Sequence, residues 1–503
     1  MIQIESERDP EVLRQVALLL DRENQKLIDR IKHLSLENAR LRGEDGGRLQ
    51  LELDALKELL ARRERELFAA SSERRPHEHD GDVTTPAQTQ RGHGPRPQPQ
   101  LALIEKVHDL AADQLRCDVC GGELSEWRNQ FEDSEEITVI ERSFTLVRHR
   151  RKKYRCACNA NVATAPAPVK LKAGARYSVE FAVEVAAAKY LDHMPLNRQC
   201  RQMGREGLIV DTQTLWDQIE SLACHLQPTY EALKTRVLQS DLVHADETTW
   251  RYLTKGNTKK WWAWSVSAGD AVYYRIADSR SSEAAGHLLN GYRGIVMADG
   301  YSAYGALARG QPGFRLVHCW AHVRRKFVEI ADNYPAECSG ILDLIGQLYA
   351  VERLVPAVSP GSTEDQKAES LRLRAQLRNE RSRDLVSRIR SWALDQHPLP
   401  ESGLGKAIAY MMQMWKGLTA FVDDPRVPLD NNAAERALRD LVLGRKNHYG
   451  SHSKRGTEVA ALFYSLVESA LASGVEPKSF LLKAAFAAIP NPGTVTLPHT
   501  LSN

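Results

Sequence analysis

Leucine recurs every seventh residue at Leu13, Leu20, Leu27, Leu34 and Leu41, with Ala17, Asn24, Ile31 and Asn38 at the intervening core positions. A strict heptad with charged flanks is the pattern of a coiled coil, and a buried Asn in the seam costs stability but fixes register and favours a parallel pair. Gly43, Gly46 and Gly47 interrupt the helix, and a second stripe follows through Leu49, Leu53, Leu56, Leu60 and Leu67. An amphipathic helix packed on its own chain is the alternative. The strictness of the heptad favours pairing between chains, so residues 1–70 are expected to form a leucine zipper and the protein a homodimer or higher oligomer. Residues 71–100 are rich in Arg, His, Gln, Gly and Pro and lack any such period, which predicts a flexible linker.

Beyond the linker the periods shorten. Residues 137–154 alternate as strands do, and they lie between Cys117-Asp118-Val119-Cys120 and Cys156-Ala157-Cys158. Residues 101–170 are therefore expected to form one small module. From 178 to 226 the spacing turns helical, with Val179, Val183, Ala186 and Ala187 on one face. Met194-Pro195-Leu196 breaks that helix, a second begins near Asn197 and stops at Gly207, and Asp211 or Thr212 can cap a third. Arg198, Arg201 and Arg205 on short helices suit a helix-turn-helix DNA reader over residues 171–235, or equally a structural bundle.

From residue 242 the texture becomes α/β. The run 242–246 reads as a short apolar strand ending on Asp246. Strands over 261–266 and 271–276, a helix over 282–289, a strand over 294–299 ending on Asp299, a strand over 315–319 and a helix over 320–330 follow. Three strands in series, then alternating helix and strand, is the order of a ribonuclease H-like core, assigned to 236–335. Residues 336–425 show helical periodicity without a clear strand and are expected to be an α-helical insertion. The core resumes over 426–475, where Asp430 or Asn431 can cap a helix carrying Glu435 one turn inside, with Gly444 as its expected terminator. A C-terminal helix and tail occupy 476–503. The fold class is thus multidomain α/β.

Composition adds four points. A chain of 503 residues is too long for one core. The net charge is only +3, but Arg148, Arg150, Arg151, Lys152 and Lys153 are clustered beside the cysteine module, where they would meet phosphates. The charged N-terminus and the absence of a long apolar run predict a cytoplasmic, nucleoid-associated protein without membrane contact. Eight cysteines in such a chain point to metal ligation or burial rather than disulfides. Cys117, Cys120, Cys156 and Cys158 suit a structural Zn²⁺ site, with a redox pair as the rival reading.

Asp246, Asp299 and Glu435 carry the candidate chemistry. The chain holds 65 acidic residues, so only placement gives this trio meaning: two acids follow apolar strands and one lies on a late helix. Phosphodiester cleavage and strand transfer require charge neutralisation and alignment, which two Mg²⁺ ions, or Mn²⁺, can supply from carboxylate ligands. In this reading Asp246 bridges both ions while Asp299 and Glu435 each hold one side. Glu247 is expected on the opposite face. Arg436, Arg439, Arg445 and Lys446, on or just beyond the Glu435 helix, are candidates for holding DNA. A catalytically inert zipper-and-zinc regulator and a structure-specific nuclease on the same fold are the rival functions.

The ordered motifs resemble those of the insertion-sequence-66 family of DDE transposases. They are Gly92-His93-Gly94, Lys189-Tyr190-Leu191-Asp192-His193-Met194-Pro195-Leu196-Asn197-Arg198-Gln199, His244-Ala245-Asp246-Glu247-Thr248, Ala298-Asp299-Gly300-Tyr301, Cys319-Trp320-Ala321-His322-Val323-Arg324-Arg325, Asp430-Asn431-Asn432-Ala433-Ala434-Glu435-Arg436 and Gly444-Arg445-Lys446-Asn447. The resemblance implies a DDE core interrupted before its last acid, the triad Asp246, Asp299 and Glu435, and Cys319 and His322 as a Cys-x-x-His signature. It also implies binding to the element's terminal repeats and to target DNA, and accessory small proteins of the same element. The sequence departs from the family at Cys156-x-Cys158, where Cys-x-x-Cys is usual, and His149 is a possible substitute ligand.

Overall fold

The computed structural model describes residues 142–155, 162–254, 256–310, 313–358 and 362–501, and Lys26 in isolation. The zipper leucines, the linker and Cys117, Cys120, Cys156 and Cys158 lie outside the described residues. Residues from Ser143 onward belong to one compact unit. Its first regular elements are β1 (Lys153–Arg155) and β2 (Val162–Thr164), a short antiparallel pair. Of the alternating stretch before Cys156, residues 142–152 carry no regular element.

Three helices follow at the expected breaks. In α1 (Val179–Tyr190) the Ser178 hydroxyl accepts from Phe181 N, and the helix buries Val179, Val183, Ala186 and Ala187. Helix α2 (Leu196–Arg205) buries Gln199 and Met203 and leaves Arg198, Arg201 and Arg205 exposed. Helix α3 (Thr212–Leu238) is capped by Asp211, whose carboxylate accepts from Thr214 N at 2.6 Å. All three contribute to the same hydrophobic cluster as the main sheet, and the Tyr230 hydroxyl donates to the Tyr274 carbonyl across that junction.

The sheet comprises β3 (Leu242–Thr254), β4 (Asn257–Ala268), β5 (Ala271–Ala277), β6 (Ile295–Ala298) and β7 (Arg315–His318), ordered β5-β4-β3-β6-β7. Strands β3, β4 and β5 pair antiparallel, whereas β3, β6 and β7 run parallel. Helices α4 (Ser282–Leu289) and α5 (Ser302–Gly310) make the connections before β6 and β7. This mixed α/β architecture is compatible with the core expected from the sequence. Side-chain alternation divides the interior: Val243, Ala245, Val296 and Ala298 enter one cluster with α1, α3 and the C-terminal helices, while Ile295, Met297 and Val317 enter a second.

One strand boundary differs from the sequence expectation. Strand β3 does not end at Asp246 but runs to Thr254. Its parallel partner β6 pairs only as far as His244, after which β4 alone carries the ladder to Thr254. The extension is also held by Ser451, whose carbonyl accepts from Leu253 N and whose amide donates to the Arg251 carbonyl. Polar and aromatic residues such as Thr248, Trp250 and Tyr252 alternate there without forming the apolar run that marks a buried strand.

The second cluster is built by α6 (Trp320–Val328) and a helical stretch containing α7 (Pro335–Glu352), α8 (Glu364–Leu377), a π-helical turn (Arg378–Ser382), α9 (Arg383–Asp395), α10 (Gly403–Gln413), α11 (Trp415–Leu418) and α12 (Ala420–Asp423). No strand interrupts it among the described residues. Arg378 is fully buried there; it makes a two-point ion pair with Glu352 and donates to the Phe421, Asp424 and Val427 carbonyls. That charge is satisfied on every side, which is the condition for burying an ion pair without a large loss. The chain then enters α13 (Asn432–His448), α14 (Lys454–Ala472) and α15 (Pro477–Ala488), which return to the first cluster.

The expected terminator of α13 is a second correction. Gly444 lies inside α13 and is buried; the left-handed residues ending the helix are Tyr449, at φ 63°, and Gly450, at φ 116°. Gly444 is small because the Tyr464 hydroxyl of α14 occupies the space a β-carbon would need.

Candidate active site

Asp246 and Asp299 come together through register. His244 pairs with Met297, so two further residues along the parallel strands bring Asp246 level with Asp299. The alternation Leu242, His244, Asp246 on β3 and Ile295, Met297, Asp299 on and beyond β6 assigns both acids to the face of the second cluster. Asp299 lies just past β6, next to Gly300. A β-carbon on Gly300 would stand 2.6 Å from both the Met414 sulfur and the Tyr410 hydroxyl, so glycine is required for the insertion to approach.

One oxygen of each aspartate is engaged by a nearby amide. Glu247 N donates to Asp246 Oδ1 at 2.8 Å, and Tyr301 N donates to Asp299 Oδ1 at 2.9 Å. The Asp246 carboxyl is raised to about 8, first by burial, then by the charges of Asp299, Glu247 and, more weakly, Glu435. A carboxyl under that stress holds a proton near neutral pH unless a cation replaces it.

Glu435 sits in the first turn of α13. Its Oε1 is 3.4 Å from Arg325 Nη2 and 3.8 Å from His322 Nε2, both on α6. Burial pushes the His322 imidazole down, while Asp299 and Glu435 pull it up. His322 thus lies against Glu435 and within the field of Asp299, whereas Cys319 has a different task. Its buried Sγ accepts from Asn431 N at 3.1 Å, and burial pushes its thiol up to about 11. The Asn431 side chain donates to the Ala245 carbonyl at 2.9 Å, and its carbonyl oxygen lies 2.9 Å from His244 Nδ1. The N-terminus of α13 is therefore tied to β3 one residue before Asp246 and to the N-terminus of α6. Because Asn431 is committed to this clamp, Asp430 accepts from Asn432 N at the helix start.

The other sequence candidates separate into distinct places. Arg436, Arg439 and Lys446 are exposed on α13. Arg445 turns inward: its Nη1 donates to Thr248 Oγ1, the Thr249 carbonyl and Thr249 Oγ1, linking α13 to β3. Arg148, Arg150, Arg151, Lys152 and Lys153 are all exposed around β1. Sequence reasoning had not singled out Asn431 as a tie to β3, nor Arg325, Arg280 or Tyr304. Asn431 and Arg325 stand inside quoted motifs, but their partners are more than a hundred residues away and no local period reveals them.

The donor set suits a hard divalent cation, since Asp246, Asp299 and Glu435 offer only carboxylate oxygen and Asp246 is short of positive charge. Among the described residues no group of three or more His, Cys, Asp or Glu is gathered closely enough to cage an ion. The charge of Asp299 acts on Asp246, while Glu435 is held by Arg325 and His322. The described cysteines Cys200, Cys224, Cys319 and Cys338 are free thiols. No single helix among the described residues is long and apolar enough to cross a membrane.

Comparison with known proteins agrees with the motifs. Residues 174–459 match the model of the transposase IS66 family. The chain is 30% identical over 392 residues to an uncharacterized protein, y4jD, of Sinorhizobium fredii (strain NBRC 101917 / NGR234), covering 74% of each chain. It is 28% identical over 411 residues to y4qI of the same strain, also named as uncharacterized, covering 77% of this chain and 73% of the relative. The matched segment runs from the helices before the sheet through α13 and into α14, taking in both aspartates, the helical insertion and Glu435, and the chain belongs to the IS66 transposase family.

Proposed function

We propose that this chain is the transposase that cuts and joins the DNA of its insertion sequence, using Asp246, Asp299 and Glu435 as a DDE set on a ribonuclease H-like core. The observation that carries the reading is electrostatic. Asp246 is raised to about 8, first by burial at the strand junction and then by the charges of Asp299, Glu247 and, most weakly, Glu435. Such a cluster is a site for positive charge. Asp246, Asp299 and Glu435 would hold Mg²⁺ or Mn²⁺, which when bound would supply Lewis-acid neutralisation of the phosphodiester.

The chain's own groups define the surroundings. Cys319 and Asn431 orient the start of α13 and hence Glu435. Arg325 and His322 hold Glu435 beside the aspartates, and Arg325, 44% exposed at its side chain, can meet a phosphate. Arg436, Arg439 and Lys446 offer further phosphate contacts along α13, and Arg198, Arg201 and Arg205 do so from α2. Zn²⁺ binding by Cys117, Cys120, Cys156 and Cys158 and dimerisation through residues 1–70 complete the proposal from sequence.

The test incubates the full chain with DNA bearing the element's own ends and Mg²⁺, maps the strand breaks and measures DNA binding in parallel. Asp246→Asn, Asp299→Asn and Glu435→Gln keep the shape but lose the charge that attracts the cation. Each is expected to lower cleavage at least about a hundredfold, the upper range for losing a mere outer partner of a metal site, with DNA binding nearly intact. Full cleavage by any one variant removes that residue from the set. Binding without cleavage by the unaltered chain favours the inert regulator.

A further inference from the structure

Glu247 adjoins Asp246 yet faces the other side of β3, and its side chain is 1% exposed. A buried carboxylate needs partners, and two side chains hold this one. Arg280, in the loop between β5 and α4, donates to Glu247 Oε1 from Nε at 3.0 Å and from Nη2 at 2.6 Å. The Tyr304 hydroxyl of α5 donates to Glu247 Oε2 at 3.0 Å. The Arg280 guanidinium lies 4.6 Å from the Trp262 ring centre and 3.7 Å from that of Tyr301, and the Tyr301 hydroxyl donates to the Arg280 carbonyl at 2.6 Å.

This connectivity closes a loop behind the two aspartates. The residues whose amides hold Asp246 Oδ1 and Asp299 Oδ1 are Glu247 and Tyr301. Arg280 grips the side chains of both. We propose that Arg280 and Glu247 are positioning residues that set the separation and orientation of Asp246 and Asp299 for the cation, acting from the face of the sheet opposite the reacting groups. The inference rests on the proposed DDE reading and assigns a role to residues outside the triad. Arginine suits this place better than lysine, because a planar guanidinium can stack on aromatic rings while donating two hydrogen bonds to one carboxylate.

The experiment titrates the DNA-free full chain with Mn²⁺ and reads bound metal by electron paramagnetic resonance, with folding followed by circular dichroism at the same temperature. Glu247→Gln and Arg280→Ala are each expected to weaken Mn²⁺ binding by about 10–100-fold, the usual effect of removing an outer partner of a metal site. Arg280→Lys should recover part of that loss, and the Glu247→Gln, Arg280→Ala double variant should lose little more than either single one. Tyr304→Phe keeps the buried ring and removes one hydrogen bond to Glu247, so it reports a smaller weakening in a chain that stays folded. Unchanged Mn²⁺ affinity in folded Tyr304→Phe and in either folded charge variant overturns the positioning role while leaving the triad standing. Failure of the unaltered chain to bind Mn²⁺, or equal binding by Asp246→Asn, instead overturns the DDE reading itself and the positioning role with it.

Discussion

Gly444 is required for contact rather than for backbone freedom. In a helix interior alanine is favoured over glycine by about 1 kcal/mol, so Gly444→Ala would stabilise α13 if propensity decided the matter. The Tyr464 hydroxyl stands where the new methyl group would go, and it also meets His448 Nε2 at 3.1 Å. Overpacking a fitted contact costs about 1–3 kcal/mol, which exceeds the propensity gain. Gly444→Ala should therefore lower the midpoint of chemical denaturation, whereas an unchanged or raised midpoint would show that α13 and α14 can separate freely. Asn431 shows the same priority of contact over local preference. It stands where a helix cap is expected but spends its side chain on Ala245 and His244.

At the scale of the element, α14 carries an acid where a helix in a core would ordinarily carry an apolar side chain. Glu468 is buried, and its carboxyl is raised to about 8, first by burial and then by Asp440 of α13. The folded chain keeps this proton to about pH 8, whereas the unfolded chain loses it near the ordinary value of 4.5. Between those limits the folded state binds more protons, so the Glu468 contribution is fully present below about pH 4.5 and is lost as pH rises toward 8. Glu468→Gln resembles the protonated acid at every pH. It should stabilise the protein increasingly from pH 5 to pH 8 and flatten the fall of stability over that range. Urea denaturation at several pH values measures this directly; a constant difference between the two proteins would place the titration elsewhere.

For the whole molecule the issue is how a chain of net charge +3 holds a polyanion. Arg148, Arg150, Arg151, Lys152 and Lys153 are all exposed around β1, so they are available to phosphates irrespective of base sequence. Each phosphate contact contributes about 0.9 to the slope of log affinity against log salt. Replacing all five by Ala should flatten that slope by up to about 4.5 units and weaken binding to element ends and unrelated DNA alike. An unchanged slope in filter-binding measurements across a salt series would make the run a solvated face. If specificity for the element ends survives these replacements, α2 with Arg198, Arg201 and Arg205 becomes the next region to alter.

What the sequence by itself determined was whatever depends on near neighbours. The Ser282–Leu289 helix, a strand from Ala271, a helix cap at Asp211 or Thr212 and the short strands leading to Asp299 and Cys319 were legible because helix and strand periods, caps and turn residues act within a few positions. The acids were legible as candidates because Asp246 and Asp299 end short apolar runs and Glu435 stands in the first turn of a late helix, and the family because its motifs occur in order. Tertiary structure decided how far β3 runs, since residues beyond Asp246 stay extended through pairing with β4 and contact with Ser451. It also decided that Gly444 accommodates a tyrosine, that Arg445 grips β3 and that Cys319 holds Asn431. The Gly444, Arg445 and Cys319 contacts join residues 20 to nearly 200 positions apart, and a partner at that distance imposes no period on the chain. The same limit hid Arg280: its link to Glu247 spans 33 residues and exists only because the sheet folds β3 beside the loop after β5.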